Sequence, residues 1–156
     1  MKKKYLILIL LSLIFNTSIF AAGSDNTSSK VDNYLKAYNL IKAAKKFEKK
    51  GKTEKAQKKY AKAQKLLLKS NEKKPLQADT LNYLGFTTRK LGDYEKGEKY
   101  YLLGLKIEPN HKGINEYLGE LYVETNRIDK AKERLMILND CNCEEYEKLN
   151  NLISKY

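Results

Sequence analysis

Two thiols separated by one residue, Cys141-Asn142-Cys143, are the sharpest chemical feature of the chain, and the single histidine, His111, lies thirty residues before them. Three uses fit that pair. A structural disulfide, within the chain or between chains, suits an oxidising compartment and is placed first. Bridged Cα atoms usually sit ~4.4–6.8 Å apart, which is tight across one intervening residue. A redox-active pair is the second use, because Cys143 precedes a predicted helix beginning at Glu144 and a helix N-terminus favours the thiolate. A metal site is the third: His111 with two thiolates offers three ligands, best matched by a thiophilic ion such as copper or zinc. No fuller ligand set is present, so the expectation is no metal and no other cofactor. No hydrolase, kinase or metalloprotease motif occurs, and one histidine leaves a nucleophilic relay a single base. The chain is expected not to be an enzyme. Glu144-Glu145 read as ordinary first-turn acids.

The elements that must position these residues begin after a leader. The start Met-Lys-Lys-Lys is followed by an apolar run at 5–15 broken only by Ser12, then by Asn16-Thr17-Ser18 and the small residues Ala21-Ala22-Gly23. That order is a secretory signal peptide, 1–23. The apolar run is shorter than the ~20 residues a membrane span needs, so an uncleaved inner-membrane anchor is the lesser reading. Export to the periplasm is the expected localisation. Residues 24–30 read as a polar, disordered stub and 31–156 as one domain.

Charge is unevenly spread. The leader holds three of the basic residues, so its removal lowers the formal +12 by three to +9. Residues 30–75 carry 16 Lys against four acids, whereas 76–156 carry 12 basic and 14 acidic residues. The basic end suits weak contact with an anionic membrane surface, although a solvated lysine face is the plainer account. Nucleic acid is not an expected partner, because no groove-reading motif accompanies the lysines.

The chain then echoes itself. Tyr83-Leu84-Gly85 returns thirty-four residues later as Tyr117-Leu118-Gly119, and Gly97, Tyr101 and Gly104 return as Ala131, Leu135 and Leu138. Such a period signals a repeat architecture. Helical spacing predicts a first hairpin lined by Leu35, Tyr38, Ile41, Ala44 and Phe47, a turn at Gly51 with Thr53 as cap, then Ala56, Tyr60, Ala63, Leu67 and Leu68. The second hairpin uses Leu81, Leu84, Gly85 and Thr88, a turn at Leu91-Gly92-Asp93, then Tyr94, Gly97, Tyr101, Gly104 and Leu105. The third uses Leu118, Gly119 and Tyr122, a turn at Asn126, then Ile128, Ala131, Leu135 and Leu138. A last helix at 144–155, with Tyr146, Leu149, Leu152 and Ile153 on one face, is expected to cap the stack. The repeats are placed at about 37–75, 78–111 and 112–140.

With Leu84-Gly85, Gly97, Tyr101, Pro109, Leu118-Gly119, Tyr122 and Ala131 in these places, the chain resembles the tetratricopeptide repeat family. The first unit matches more weakly, through Ala43-Ala44, Phe47, Gly51, Ala56, Tyr60 and Ala63. The resemblance implies an all-α, right-handed solenoid of three helical hairpins plus a C-terminal capping helix. It also implies a concave groove, formed by the first helix of each hairpin, that holds a peptide. Projected onto this chain, that groove takes Tyr38, Lys42, Lys45, Asn82, Phe86, Arg89, Glu116, Glu120 and Val123. Asn82 would bond an extended backbone, Phe86 would take an apolar side chain, and Lys45 with Arg89 would take a carboxylate. The function so implied is a non-catalytic protein-interaction adaptor of the bacterial envelope, with a protein or peptide partner. The alternative is a thiol-disulfide or metal-handling accessory protein using Cys141 and Cys143.

Overall fold

In the computed structural model, residues 32–156 are described. The expected leader and stub, 1–30, lie outside the described residues. Seven α-helices follow in order: α1 (Asn33–Lys49), α2 (Thr53–Lys73), α3 (Ala78–Lys90), α4 (Tyr94–Ile107), α5 (Lys112–Glu124), α6 (Ile128–Leu138) and α7 (Glu144–Ile153). Among the described residues there is no strand, and the arrangement is the all-α repeat solenoid expected from the sequence.

Local chemistry starts and stops these helices. Asp32 accepts from the Tyr34 backbone N–H at 3.3 Å, and Asp93 accepts from the Lys96 N–H at 3.0 Å. These bonds satisfy orphan donors at the starts of α1 and α4. Thr53 does not cap α2 as expected. It is the first helical residue, and Lys52 at the cap position makes no side-chain bond. The α3–α4 turn places Gly92 at φ +95°. Glycine enters that conformation without steric cost.

Each hairpin packs its two helices antiparallel, and successive hairpins stack through α2 on α3 and α4 on α5. One row of small residues sets how closely they approach. At Gly85 an added Cβ would lie 2.5 Å from the ring of Tyr101, which is fully buried. At Gly119 it would meet Leu149 of α7 at the same distance. Leu149 and Ile153 are buried while Tyr146 and Leu152 are half-buried, so α7 covers the last hairpin with one face and leaves the other wet.

Three expected core positions are not core. Leu35 is 47% exposed, Tyr94 41% and Leu68 38%. The first hairpin closes through alanines, Ala37 and Ala44 against Ala56 and Ala63, all of them buried. Small side chains win that close contact, and the bulkier Leu35 and Leu68 are displaced to the flank. Tyr94 is the first residue of α4 and sits beside the exposed turn.

Candidate functional site

The first helices α1, α3 and α5 share one face of the stack, and α7 extends it. Phe86 of α3 and Tyr117 of α5 form its floor, with ring centroids 4.8 Å apart. Tyr60 stands edge-on behind Phe86 at 5.7 Å, a favoured aromatic geometry. Lys45 of α1 reaches across both rings, 4.5 Å from the Phe86 centroid and 4.9 Å from that of Tyr117. Its charge is drawn to the negative ring faces, and its Nζ donates to the Tyr117 hydroxyl at 2.8 Å. Burial holds the Lys45 ammonium below the usual lysine range.

Arg89 is not free to take a ligand carboxylate with Lys45, contrary to the projection. Its guanidinium is 1% exposed and bonded to Glu120 at 2.5 Å and Glu124 at 2.8 Å. The reason is helical: Glu120 and Glu124, one turn apart on α5, present both carboxylates to the same point on α3. Glu120 is thereby also engaged. Val123 is buried rather than presented to a ligand.

Two clefts remain. One, of about 360 Å³, is lined by Lys45, Lys49, Phe86, Lys90, Glu120 and Lys148 among others. The second, of about 430 Å³, lies where α3, α5 and the start of α7 meet, lined by Asp79, Asn82, Tyr83, His111, Glu145 and Lys148 among others. Glu116 and Tyr117 line both. The Glu116 side chain is only 4% exposed, and its nearest cation is Lys148 Nζ at 3.8 Å. That separation is beyond hydrogen-bond reach. Burial, and then the charge of Glu120, push the Glu116 carboxyl up to about 7. Asn82 is equally enclosed, and its Oδ1 has no hydrogen-bond partner.

The projected residues thus divide. Lys45, Asn82, Phe86, Glu116 and Glu120 come together along the clefts, while Arg89 is a buried strut. Tyr38 packs edge-on against Tyr83 at 5.6 Å with Lys42 over its ring, at the outer edge of this face. Sequence reasoning missed Tyr117, Tyr83, Glu145 and Lys148. The Tyr83/Tyr117 echo marks the repeat in the sequence, and the same two tyrosines line the cleft. Glu145 and Lys148 were hidden by treating the last helix as a cap alone, whereas it also supplies a wall.

At the chain's end the Cys141 and Cys143 sulfurs lie within bonding distance, with Cα atoms 5.2 Å apart. His111 does not join them. It caps α5, its Nδ1 accepting from Ile114 N–H at 3.1 Å while Nε2 faces Asp79 at 3.1 Å. Among the described residues no group of three such ligands is assembled.

No protein-family profile matches the chain. The Sol locus transcriptional repressor of Clostridium acetobutylicum is 35% identical over 69 residues, covering 44% of this chain and 22% of that protein. The chain therefore matches only about a fifth of that relative's length. The first tetratricopeptide repeat domain of Spaghetti (RPAP3), solved with the HSP90 peptide SRMEEVD, aligns with a TM-score of 0.55 at 18% identity, over 78% of this chain and 93% of that one. The type III secretion chaperone SycD of Yersinia enterocolitica, solved with a peptide of the translocator YopD, aligns with a TM-score of 0.53 at 16% identity, over 77% and 88%. Helical hairpins, small-residue contacts and concave face together make this a protein of the tetratricopeptide repeat fold.

Proposed function

We propose that the chain is a non-catalytic adaptor that receives a peptide, or an extended segment of a partner protein, along the face formed by α1, α3, α5 and α7. One observation carries this reading: in the cleft beside Tyr117, the buried Asn82 Oδ1 has no hydrogen-bond partner and the buried Glu116 side chain has its nearest cation 3.8 Å away. Buried polar groups are normally satisfied, and a peptide backbone or side chain laid in the cleft satisfies them. Two solved proteins of the same fold were captured with peptides, which supports the same use here. The leader is the ground for assigning this role to the cell envelope. The first hairpin adds weak, salt-sensitive attraction to anionic membrane surfaces, since α1 and α2 are rich in exposed lysines.

The test is photo-crosslinking in the native envelope from a reactive residue placed at Lys49 or Lys148, with Lys106 and Lys132 on second helices as controls. A partner protein joined at the first two positions and not the others is expected. Equal yields from the controls, or none from Lys49 and Lys148, would end the groove assignment. Protein recovered from the periplasm is expected to start near residue 24.

The thiol reading is retained because the two sulfurs lie so close, with Asn142 in the left-handed region at φ 44° between them. Intact mass with alkylation, before and after reduction, reports whether they are bonded. A structural bridge predicts that the double serine variant melts lower yet still crosslinks its partner. A redox role predicts normal melting and lost thiol exchange.

A further inference from the structure

The cleft bounded by α3, α5 and the start of α7 has a charge opposite to that of the chain. Its wall holds four carboxylates, Asp79, Glu108, Glu116 and Glu145, against Lys112 and Lys148. Lys148 is bonded to Glu144 at 2.8 Å and stands 3.8 Å from Glu116. A carboxylate so enclosed costs free energy as an ion unless a cation approaches it closely. The rings of Tyr83 and Tyr117 line the same space. Asn82, nine-tenths buried and short of a partner at Oδ1, adds an unmet polar group. An anionic side chain placed here would meet Glu116 and Asp79 as like charges.

We propose that this cleft is a subsite for one cationic side chain of the bound peptide, a lysine ammonium or an arginine guanidinium, with Glu116 as its counter-ion. The proposal rests on the peptide-binding reading of the concave face and names the chemistry that face selects. The charged and titratable groups around Glu116 are Lys45 from α1, Asp79 and Tyr83 from α3, Glu108 and His111 between α4 and α5, Lys112, Tyr117 and Glu120 on its own helix, and Glu145 and Lys148 from α7. Of these, Lys45 is held by Tyr117 and Lys148 by Glu144, so an incoming cation has no stronger rival for the Glu116 oxygens. Its arrival lowers the Glu116 titration midpoint from about 7 and releases a proton when binding occurs at neutral pH.

The experiment is an NMR titration of the intact mature protein with blocked glycine-serine heptapeptides carrying a central lysine, norleucine or glutamate. The lysine peptide is expected to move the amide resonances of Asn82, Gly113 and Glu116 and to bind at least tenfold more tightly than the norleucine peptide. Glu116→Gln is expected to erase that margin while its circular dichroism stays native. Lys148→Met removes the resident cation without touching the carboxylate, and is expected to tighten the lysine peptide. Equal binding of lysine and norleucine peptides, preference for glutamate, or an unchanged margin in Glu116→Gln overturns the subsite. If all three peptides move the concave face alike, the groove survives and the subsite does not. If none moves it, the subsite falls, and crosslinking from Lys49 and Lys148 judges the groove separately.

Discussion

The first and third repeats occupy equivalent places in one solenoid yet give the concave face opposite walls. The first-to-second turn glycines, Gly51 and Gly92, are forty-one residues apart, and the next repeat follows at thirty-four, so Lys45, Phe86 and Glu120 are the same rung of three successive first helices. One rung therefore carries a cation, a ring and an acid. The row one residue closer to the core is uniform instead: Ala44, Gly85 and Gly119, all buried. The contrast teaches that stacking constrains the inward row and leaves the groove row free to diverge. The divergence is then used, because the lysine wall of α1 leans over the ring floor to bond Tyr117 of the acidic α5.

The comparison breaks most severely at the strut that joins the walls. Arg89→Met leaves Glu120 and Glu124 facing a desolvated gap. It is expected to cost ~3 kcal/mol in urea unfolding, since one partner of a buried pair is lost while the carboxylates keep partial access to water. Retention of full stability would show that the pair is ornamental. The inward row sharpens next. Gly85→Ala drives a Cβ into the enclosed Tyr101 ring. Overpacking of that kind is expected to cost ~2 kcal/mol. Gly119→Ala meets the branched end of the buried Leu149, which yields by rotation more readily than a ring, and should cost about half as much. Equal melting points for the two would sink the claim that these rows differ in how far they can yield.

Glu116→Gln carries a sign that reverses intuition. Folding raises this carboxyl from 4.5 to about 7, so the fold favours its protonated form. The associated stability is complete below pH 4.5 and is lost as pH rises through about 7. The variant should thus match the parent at pH 4.5 and exceed it by ~2 kcal/mol at pH 8, a discounted conversion of that shift. Denaturant midpoints at the two pH values decide it, and an acid-side gain would contradict the assigned cause. Lys45→Met keeps the apolar stem over Phe86 but removes the bond to Tyr117. A loss of ~1 kcal/mol is expected, and Tyr117→Phe in the same background should add little. Smallest of all, Leu76 links the long α2 to α3 at φ +57° and is exposed. Leu76→Asn should raise stability by ~0.5 kcal/mol, because asparagine enters the left-handed region more readily. A lower melting point would mean that the leucine has an unrecognised contact.

Much of the scaffold was legible in the sequence because its determinants are local or periodic. The Leu84-Gly85 and Leu118-Gly119 pairs, the Gly92-Asp93 turn and the single greasy face of the last helix each mark their element within one or two turns of chain. The candidate site was legible only as positions. Projection placed Lys45, Asn82, Phe86 and Glu116 near one another, yet it assigned Arg89 to a ligand when the residue is bonded to acids thirty-one and thirty-five positions away. Leu35 failed more locally: the rest of its expected face, Ile41 and Ala44, is buried, but at the start of α1 Ala37, two residues on, takes the inward place.

By itself, then, the order of residues determined seven helical segments, their pairing into hairpins and the rows along which they approach. Those choices follow from hydrogen bonds and side-chain volumes that a chain samples within a few turns. Only the tertiary structure decided which polar groups are paired and which are left wanting. The stack brings Lys45 of α1 onto Tyr117 of α5 and packs α7 against α5 and α6, across separations that no spacing rule spans. It pairs Arg89 with Glu120 and Glu124, lays Lys45 over two rings, and leaves Asn82 Oδ1 without a partner and Glu116 with no cation closer than 3.8 Å.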